Sequence, residues 1–174
     1  MVKKVRLLIC LICMTGCTFQ NSKNEYKTGN YNIWFYYNDF IKVDLNSKKI
    51  VVDYDDLHYK ANLRLSVSDI HLIEKAFNKY KLYEASGKVD YHSDEYEIMP
   101  TSFLVIKIFE RGKGTAEIRV SDQLQQHWLY NSETKYEMAS FRDLVVNILS
   151  KNDGFKQAVA ILKKQRLKQP SLNL

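Results

Sequence analysis

Four short strand-like runs lie between residues 31 and 65, the last three with alternating apolar and polar side chains, and they are the strongest constraint on the fold of the 174-residue chain. The first run, Tyr31–Tyr37, is aromatic and β-branched, and a turn signal, Asn38-Asp39, follows it. In the next three runs the apolar residues occupy positions 41, 43 and 45, then 50 and 52, then 59, 61, 63 and 65. Period-2 runs joined by short turns predict an antiparallel meander with one buried face.

At Ser66 the hydrophobic period changes from strand to helix. Ser66 and Asp69 have the spacing of a capping box, with Asp at the position where Glu or Gln is commoner. The apolar residues that follow are spaced by three and four positions, at Ile70, Ile73, Phe77 and Tyr80. This spacing predicts a helix that buries one face against the sheet.

The middle of the chain predicts a loop and then a hairpin. Residues 87–101 have no clean period and contain one of the two prolines, so we expect a loop there. Residues 103–109 and 115–120 predict two strands around a glycine-rich turn, and residues 128–130 predict a further short strand.

Two helices are predicted at the C-terminal end. The first has the stripe Phe141, Leu144, Val145, Ile148 and Leu149, and the second begins near Phe155, after the break at Asn152-Asp153-Gly154. The layout predicts a single α+β domain over residues 31–168, followed by a tail at 169–174. We expect an antiparallel sheet of about six strands, with one central helix and two C-terminal helices packed on one face.

The first seventeen residues have the pattern of an export signal. Lys3, Lys4 and Arg6 precede a short apolar run at residues 7–14, which is well below the about 20 apolar residues that span a bilayer. Small residues then lead to Cys17, and such a sequence predicts a segment that is removed on export. The alternative is a cytosolic protein whose first element is an apolar strand.

The ending Met14-Thr15-Gly16-Cys17 resembles the lipobox of bacterial lipoproteins. The resemblance implies cleavage between Gly16 and Cys17, a fatty-acyl lipid on Cys17, and attachment to a membrane of the cell envelope, at the outer membrane or cell surface. Residues 1–16 would then be the signal peptide and residues 17–30 the lipidated cysteine and a flexible tether. The layout over residues 65–156 is also similar to small envelope lipoproteins of no assigned activity, which implies a fold but no function.

Cleavage would change the charge and the cysteine chemistry of the chain. It removes three of the 26 basic residues and none of the 20 acidic ones, which lowers the net charge from +6 to +3. That mild excess gives little reason to expect a nucleic-acid partner. Cys10 and Cys13 lie in the signal and Cys17 would be acylated, so no disulfide, cysteine nucleophile or cysteine metal ligand is expected.

Two polar clusters are candidate sites. Three carboxylates and an imidazole could hold a hard cation, but the glycine turn and spaced terminal Glu of a calcium loop are missing, and we favour a solvated turn. The four residues of this weak metal candidate are Asp53, Asp55, Asp56 and His58. The second cluster lies in the predicted 87–101 loop, where Tyr91, His92 and Asp94 could contact a partner. A serine hydrolase is not predicted there, because no Gly-x-Ser-x-Gly occurs.

The aromatic first strand is the third candidate. Alternation places Ile33, Phe35 and Tyr37 on one face and Trp34 and Tyr36 on the other. If that other face is open, Trp34 and Tyr36 form an aromatic patch of the kind that protein interfaces favour. Two alternatives stay open: a sheet that is covered on both sides, or a Trp shielded by neighbouring Lys side chains.

These features favour a lipid-anchored, non-enzymatic module that binds a protein in the envelope, such as an immunity protein or an enzyme inhibitor. We expect no cofactor. One alternative is a structural or assembly role at the envelope. A less favoured alternative is a hydrolase or metal-binding enzyme that uses Asp55, His58, His92 or Asp94, for which no residue spacing provides support.

Overall fold

The computed structural model describes residues 30–92, 102–124 and 132–167. The strands are β1 (Tyr31–Tyr37), β2 (Ile41–Asp44), β3 (Lys49–Tyr54), β4 (Leu57–Asn62), β5 (Gly87–Tyr91), β6 (Phe103–Glu110) and β7 (Lys113–Ser121). The helices are α1 (Val67–Lys79), α2 (Glu133–Lys151) and α3 (Asp153–Arg166), and a short 3₁₀ turn covers Leu82–Glu84. The predicted α+β class is confirmed. The strand predicted at residues 128–130 lies outside the described residues.

One seven-stranded sheet contains all of these strands, in the order β4-β3-β2-β1-β6-β7-β5. The predicted meander is confirmed, because β1 to β4 pair consecutively and antiparallel. The sheet is nevertheless mixed, since β5 runs parallel to β7. The predictions of about six strands and of a wholly antiparallel sheet are therefore corrected to seven strands with one parallel pair at the edge.

The prediction of a loop from residue 87 is wrong for its first five residues. Gly87–Tyr91 forms β5, and Val89 pairs with Ile118 of β7. The backbone N–H and C=O groups of β5 form hydrogen bonds with β7, which lies about thirty residues later in the chain. Two parallel strands can pair only if a long connection joins them. The local sequence, in which only Val89 and Tyr91 are apolar, carries no signal of that distant pairing.

The core lies between the sheet and the three helices. On β1 the buried side chains are Ile33 and Phe35, as the alternation predicts. The same face of β1 contacts all three helices through ring pairs, which are Tyr31 with Phe77 of α1, Phe35 with Phe141 of α2, and Tyr37 with Phe155 of α3. The prediction of helices packed on one face of the sheet agrees with these contacts.

Side-chain caps fix where the helices begin. The Ser66 hydroxyl accepts from the backbone N–H of Asp69, and the Asp69 carboxylate accepts from the N–H of Ser66, so the predicted capping box of α1 is present. Asn152 caps α3 and is itself buried, at 7% exposure. The predicted break at 152–154 is therefore a sharp junction between α2 and α3.

Candidate functional site

The sheet has a second face, opposite α1, α2 and α3, which we call the outer face. On β1 it carries Trp34 and Tyr36, because each side chain points away from its buried neighbours at 33 and 35. The strand register continues this face onto Lys107 of β6 and Glu117 of β7. No described helix lies over these residues.

Trp34 is the centre of the outer face and is half-buried. Its ring centroid lies 4.3 Å from that of Phe109, and the Nζ atom of Lys42 lies 3.2 Å from its centroid. A cation in this position is attracted by the negative face of the ring. The predicted alternative, in which a Lys side chain shields the Trp, therefore holds for one side of the indole. Another part of the ring stays accessible and lines a concavity.

Two shielded polar atoms of β1 have no hydrogen bond to a described residue. The indole Nε1 of Trp34 and the Oδ1 atom of Asn32 are both shielded from solvent and have no hydrogen-bond partner among the described residues. One is a donor and the other an acceptor, and each belongs to the same face of β1. Shielded polar groups are normally paired, so these two atoms are exceptions among the described residues.

A shallow concavity of about 390 Å³ lies beside Trp34. Four neighbouring strands, β1, β6, β7 and β5, contribute to its floor, and its lining includes Tyr36, Lys88, Phe109 and Glu117. The right-handed twist of a sheet curves its faces, and here the curvature leaves a hollow over the four strands.

The charges in the concavity form one small network. Glu117 accepts from Lys107 at 3.1 Å and lies 3.8 Å from Lys88. The hydrogen bond from Lys107, more than any other interaction, holds the pKa of Glu117 below its ordinary value of 4.5. Burial raises the pKa of Tyr36, and the nearby Lys107 opposes that shift in part. Tyr36 is therefore neutral at physiological pH, and its ring lies 4.9 Å from the ammonium group of Lys107.

The lowered pKa of Glu117 predicts a pH dependence of stability. The contribution of the ionised carboxylate is fully present above its unfolded pKa and is lost as the pH falls through the depressed folded value. Glu117→Gln should therefore reduce the free energy of unfolding at pH 7 and leave it little changed at pH 2. Urea unfolding of both proteins across this range measures the difference, and an equal difference at both pH values would contradict it.

The structure separates the residues of the predicted partner-binding loop. Tyr91 ends β5 opposite Val120 and packs against the core on the helix side, where burial raises its pKa. His92 instead lies edge-on to Phe103, with ring centroids 5.7 Å apart. Tyr91 and Trp34 are thus on opposite faces, and the structure does not bring them into one patch. Asp94 lies outside the described residues.

In the acidic cluster at the β3–β4 hairpin, two of the four side chains form an exposed pair. Asp53 and His58 face each other across the hairpin, and Nδ1 of His58 lies 2.7 Å from Oδ1 of Asp53. Asp55 and Asp56 form the exposed turn between them, with Asp55 at φ 49°. In the described part of the chain no three His, Cys, Asp or Glu side chains are grouped so that they could hold a metal ion.

Gly16 and Cys17, the predicted cleavage and lipidation sites, lie outside the described residues. Among the helices at residues 67–79, 133–151 and 153–166, none is long and apolar enough to cross a membrane.

Comparisons with known proteins add no further assignment: no family, no curated protein and no solved structure matches this chain.

Sequence reasoning placed Trp34 and Tyr36 on the outer face but missed the residues that surround them. Lys42, Phe109 and Glu117 approach from three other strands, at positions set by strand register. The register of the β1–β2 hairpin was the one sequence signal that could have identified Lys42 as a neighbour of Trp34. Its short turn brings Lys42 opposite Tyr36, and hence diagonal to Trp34.

Proposed function

We propose that this chain is a lipid-anchored protein of the cell envelope that acts without catalysis and binds a protein partner through the outer face. One observation carries the proposal. Trp34 and Tyr36 together line a hollow on the face of the sheet opposite the helices.

The physical properties of the outer face support protein binding. Trp and Tyr supply a large apolar area at low cost in side-chain entropy, and their polar atoms can bond to a partner. Residues of this kind dominate the binding energy of interfaces when they lie near the centre of the contact. The hydrogen-bonded strands beneath them hold the aromatic side chains in a fixed arrangement, which reduces the ordering cost of association.

A crosslinked pull-down from native envelopes tests this function, with an affinity tag placed after Leu174. We expect one dominant partner that Trp34→Ala loses, because the substitution removes the central anchor while the buried face of β1 stays intact. Leu72→Ala is the matched control, since Leu72 is exposed on α1, away from the outer face. Recovery of the same partner with Trp34→Ala would contradict the proposed surface. Recovery of no partner at all would favour a structural role.

The membrane anchor is tested separately through Cys17. Durable attachment needs more than one acyl chain, and a mature lipoprotein has them. We expect Cys17→Ser to release the protein from the membrane fraction or to leave its signal uncleaved. Fractionation and mass measurement of the two proteins report this result, and Cys10→Ser is the control within the same segment. Normal cleavage with unchanged membrane retention in Cys17→Ser would refute the anchor.

A further inference from the structure

We infer that the partner presents an acidic segment to the outer face, with carboxylate groups that reach the lysines around Trp34. This inference rests on the proposed function and adds the chemistry of the partner.

The charge balance around Trp34 favours an acidic ligand. Three lysines surround the indole and the concavity, namely Lys42, Lys88 and Lys107. Glu117 is the acidic residue in the lining of the hollow, and Lys88 and Lys107 share it. A single carboxylate between two ammonium groups leaves excess positive charge at the rim.

A second carboxylate, that of Asp44 on β2, also lies near Trp34. Oδ1 of Asp44 accepts from the backbone N–H groups of Asn46 and Ser47, each at 3.0 Å, and so stabilises the β2–β3 turn. Asp44 keeps its negative charge, so the three lysines around Trp34 face two carboxylates, Asp44 and Glu117, and one positive charge is left in excess. Carboxylates from a partner would complete the charge pairing.

The same charge argues against a second copy of this chain as the occupant. Two copies of the outer face carry the same excess of positive charge, and like charges brought together at an interface cost affinity.

A random dodecapeptide display library, panned on the purified protein, provides the test. Peptides that bind the wild type but not Trp34→Ala are sequenced and synthesised. We expect them to be enriched in Asp and Glu, and their affinity should fall as salt is added. Lys88→Glu should raise the Kd of these peptides about fivefold, because the loss of one charge pair costs about 1 kcal/mol of binding free energy. Lys88 has an 83% exposed side chain, so this variant should fold normally.

Lys75→Glu, an exposed change on α1, is the control and should leave the Kd unchanged. Neutral or basic peptides that need Trp34 would overturn the acidic inference while they leave the proposed binding surface intact. Panning that yields only acidic peptides that bind the wild type and Trp34→Ala equally well would overturn both the inference and the surface. A library with no Trp34-dependent peptide would overturn the inference, because short linear acidic segments are well represented in it.

Discussion

Phe35→Ala should reduce the free energy of unfolding by about 3–5 kcal/mol, the usual cost of removing a buried Phe. Phe35 is fully buried on the central strand β1, and its ring packs against Phe141 of α2 with centroids 6.2 Å apart. The substitution leaves a cavity between the sheet and the helix, and the surrounding side chains can relax only in part. Urea unfolding followed by circular dichroism measures the loss.

The adjacent residue offers a matched control, because Trp34 is larger but lies on the outer face and is only half-buried. Trp34→Ala should cost about 1–2 kcal/mol, since less of its surface leaves water on folding. Phe35→Leu keeps most of the volume and should cost less than Phe35→Ala, so the comparison survives if the Ala variant fails to fold. A larger loss for Trp34→Ala than for Phe35→Ala would contradict the assignment of the two faces.

Asn152→Ala should reduce the free energy of unfolding by about 2–4 kcal/mol, because two hydrogen bonds are lost together. The Oδ1 atom of Asn152 accepts from the backbone N–H of Phe155 and caps α3. Its Nδ2 atom donates to the carbonyl oxygen of Arg64 at 2.6 Å, which ties the α2–α3 junction to the chain that follows β4. Denaturant unfolding measures the loss.

Two further variants separate these contributions. Ser132→Ala removes the cap of α2, where an exposed hydroxyl accepts from the N–H of Lys135, and should cost only about 1 kcal/mol. Asn152→Asp retains a cap acceptor but loses the donor to Arg64, so its cost should exceed that of Ser132→Ala. If Asn152→Ala costs no more than Ser132→Ala, the bond to Arg64 contributes nothing to stability.

The fold could be predicted from sequence wherever one face of an element is buried. In β1 to β3 the period of two follows directly from the core, which contains Phe35, Val43 and Ile50 at paired positions. The start of α1 was predictable for a different reason: its capping groups, Ser66 and Asp69, are local in sequence.

Strand β5 could not be predicted because its pairing is not local. Its alternation of polar and apolar residues covers only Lys88 to Tyr91, and the apolar residues are only half-buried at the edge of the sheet, so the signal is weak. Only the parallel register with β7, such as Lys88 opposite Glu117, defines the strand. Gly87 and Lys88 of β5 line the hollow beside Trp34. Because β5 was not predicted, the shape of this hollow could not be predicted from the sequence either.

The candidate site was predictable in part. Alternation placed Trp34 and Tyr36 together, and the structure keeps them on one face. The same reasoning did not place Tyr91, which depends on β5 and lies on the helix side. The pairing of Asp53 with His58 follows from the two-residue turn between β3 and β4, whose register sets the two side chains opposite each other.

Site-specific photocrosslinking tests the central claim, that the outer face binds a protein. Tyr36 is replaced by the photoreactive p-benzoylphenylalanine, which keeps the first aromatic ring and extends it with a benzoyl group, and native envelopes are irradiated. A second protein carries the same group at Leu72, which is 46% exposed on α1. We predict one discrete adduct from position 36 and none from position 72. No adduct from position 36, or the same adducts from both positions, would contradict the account.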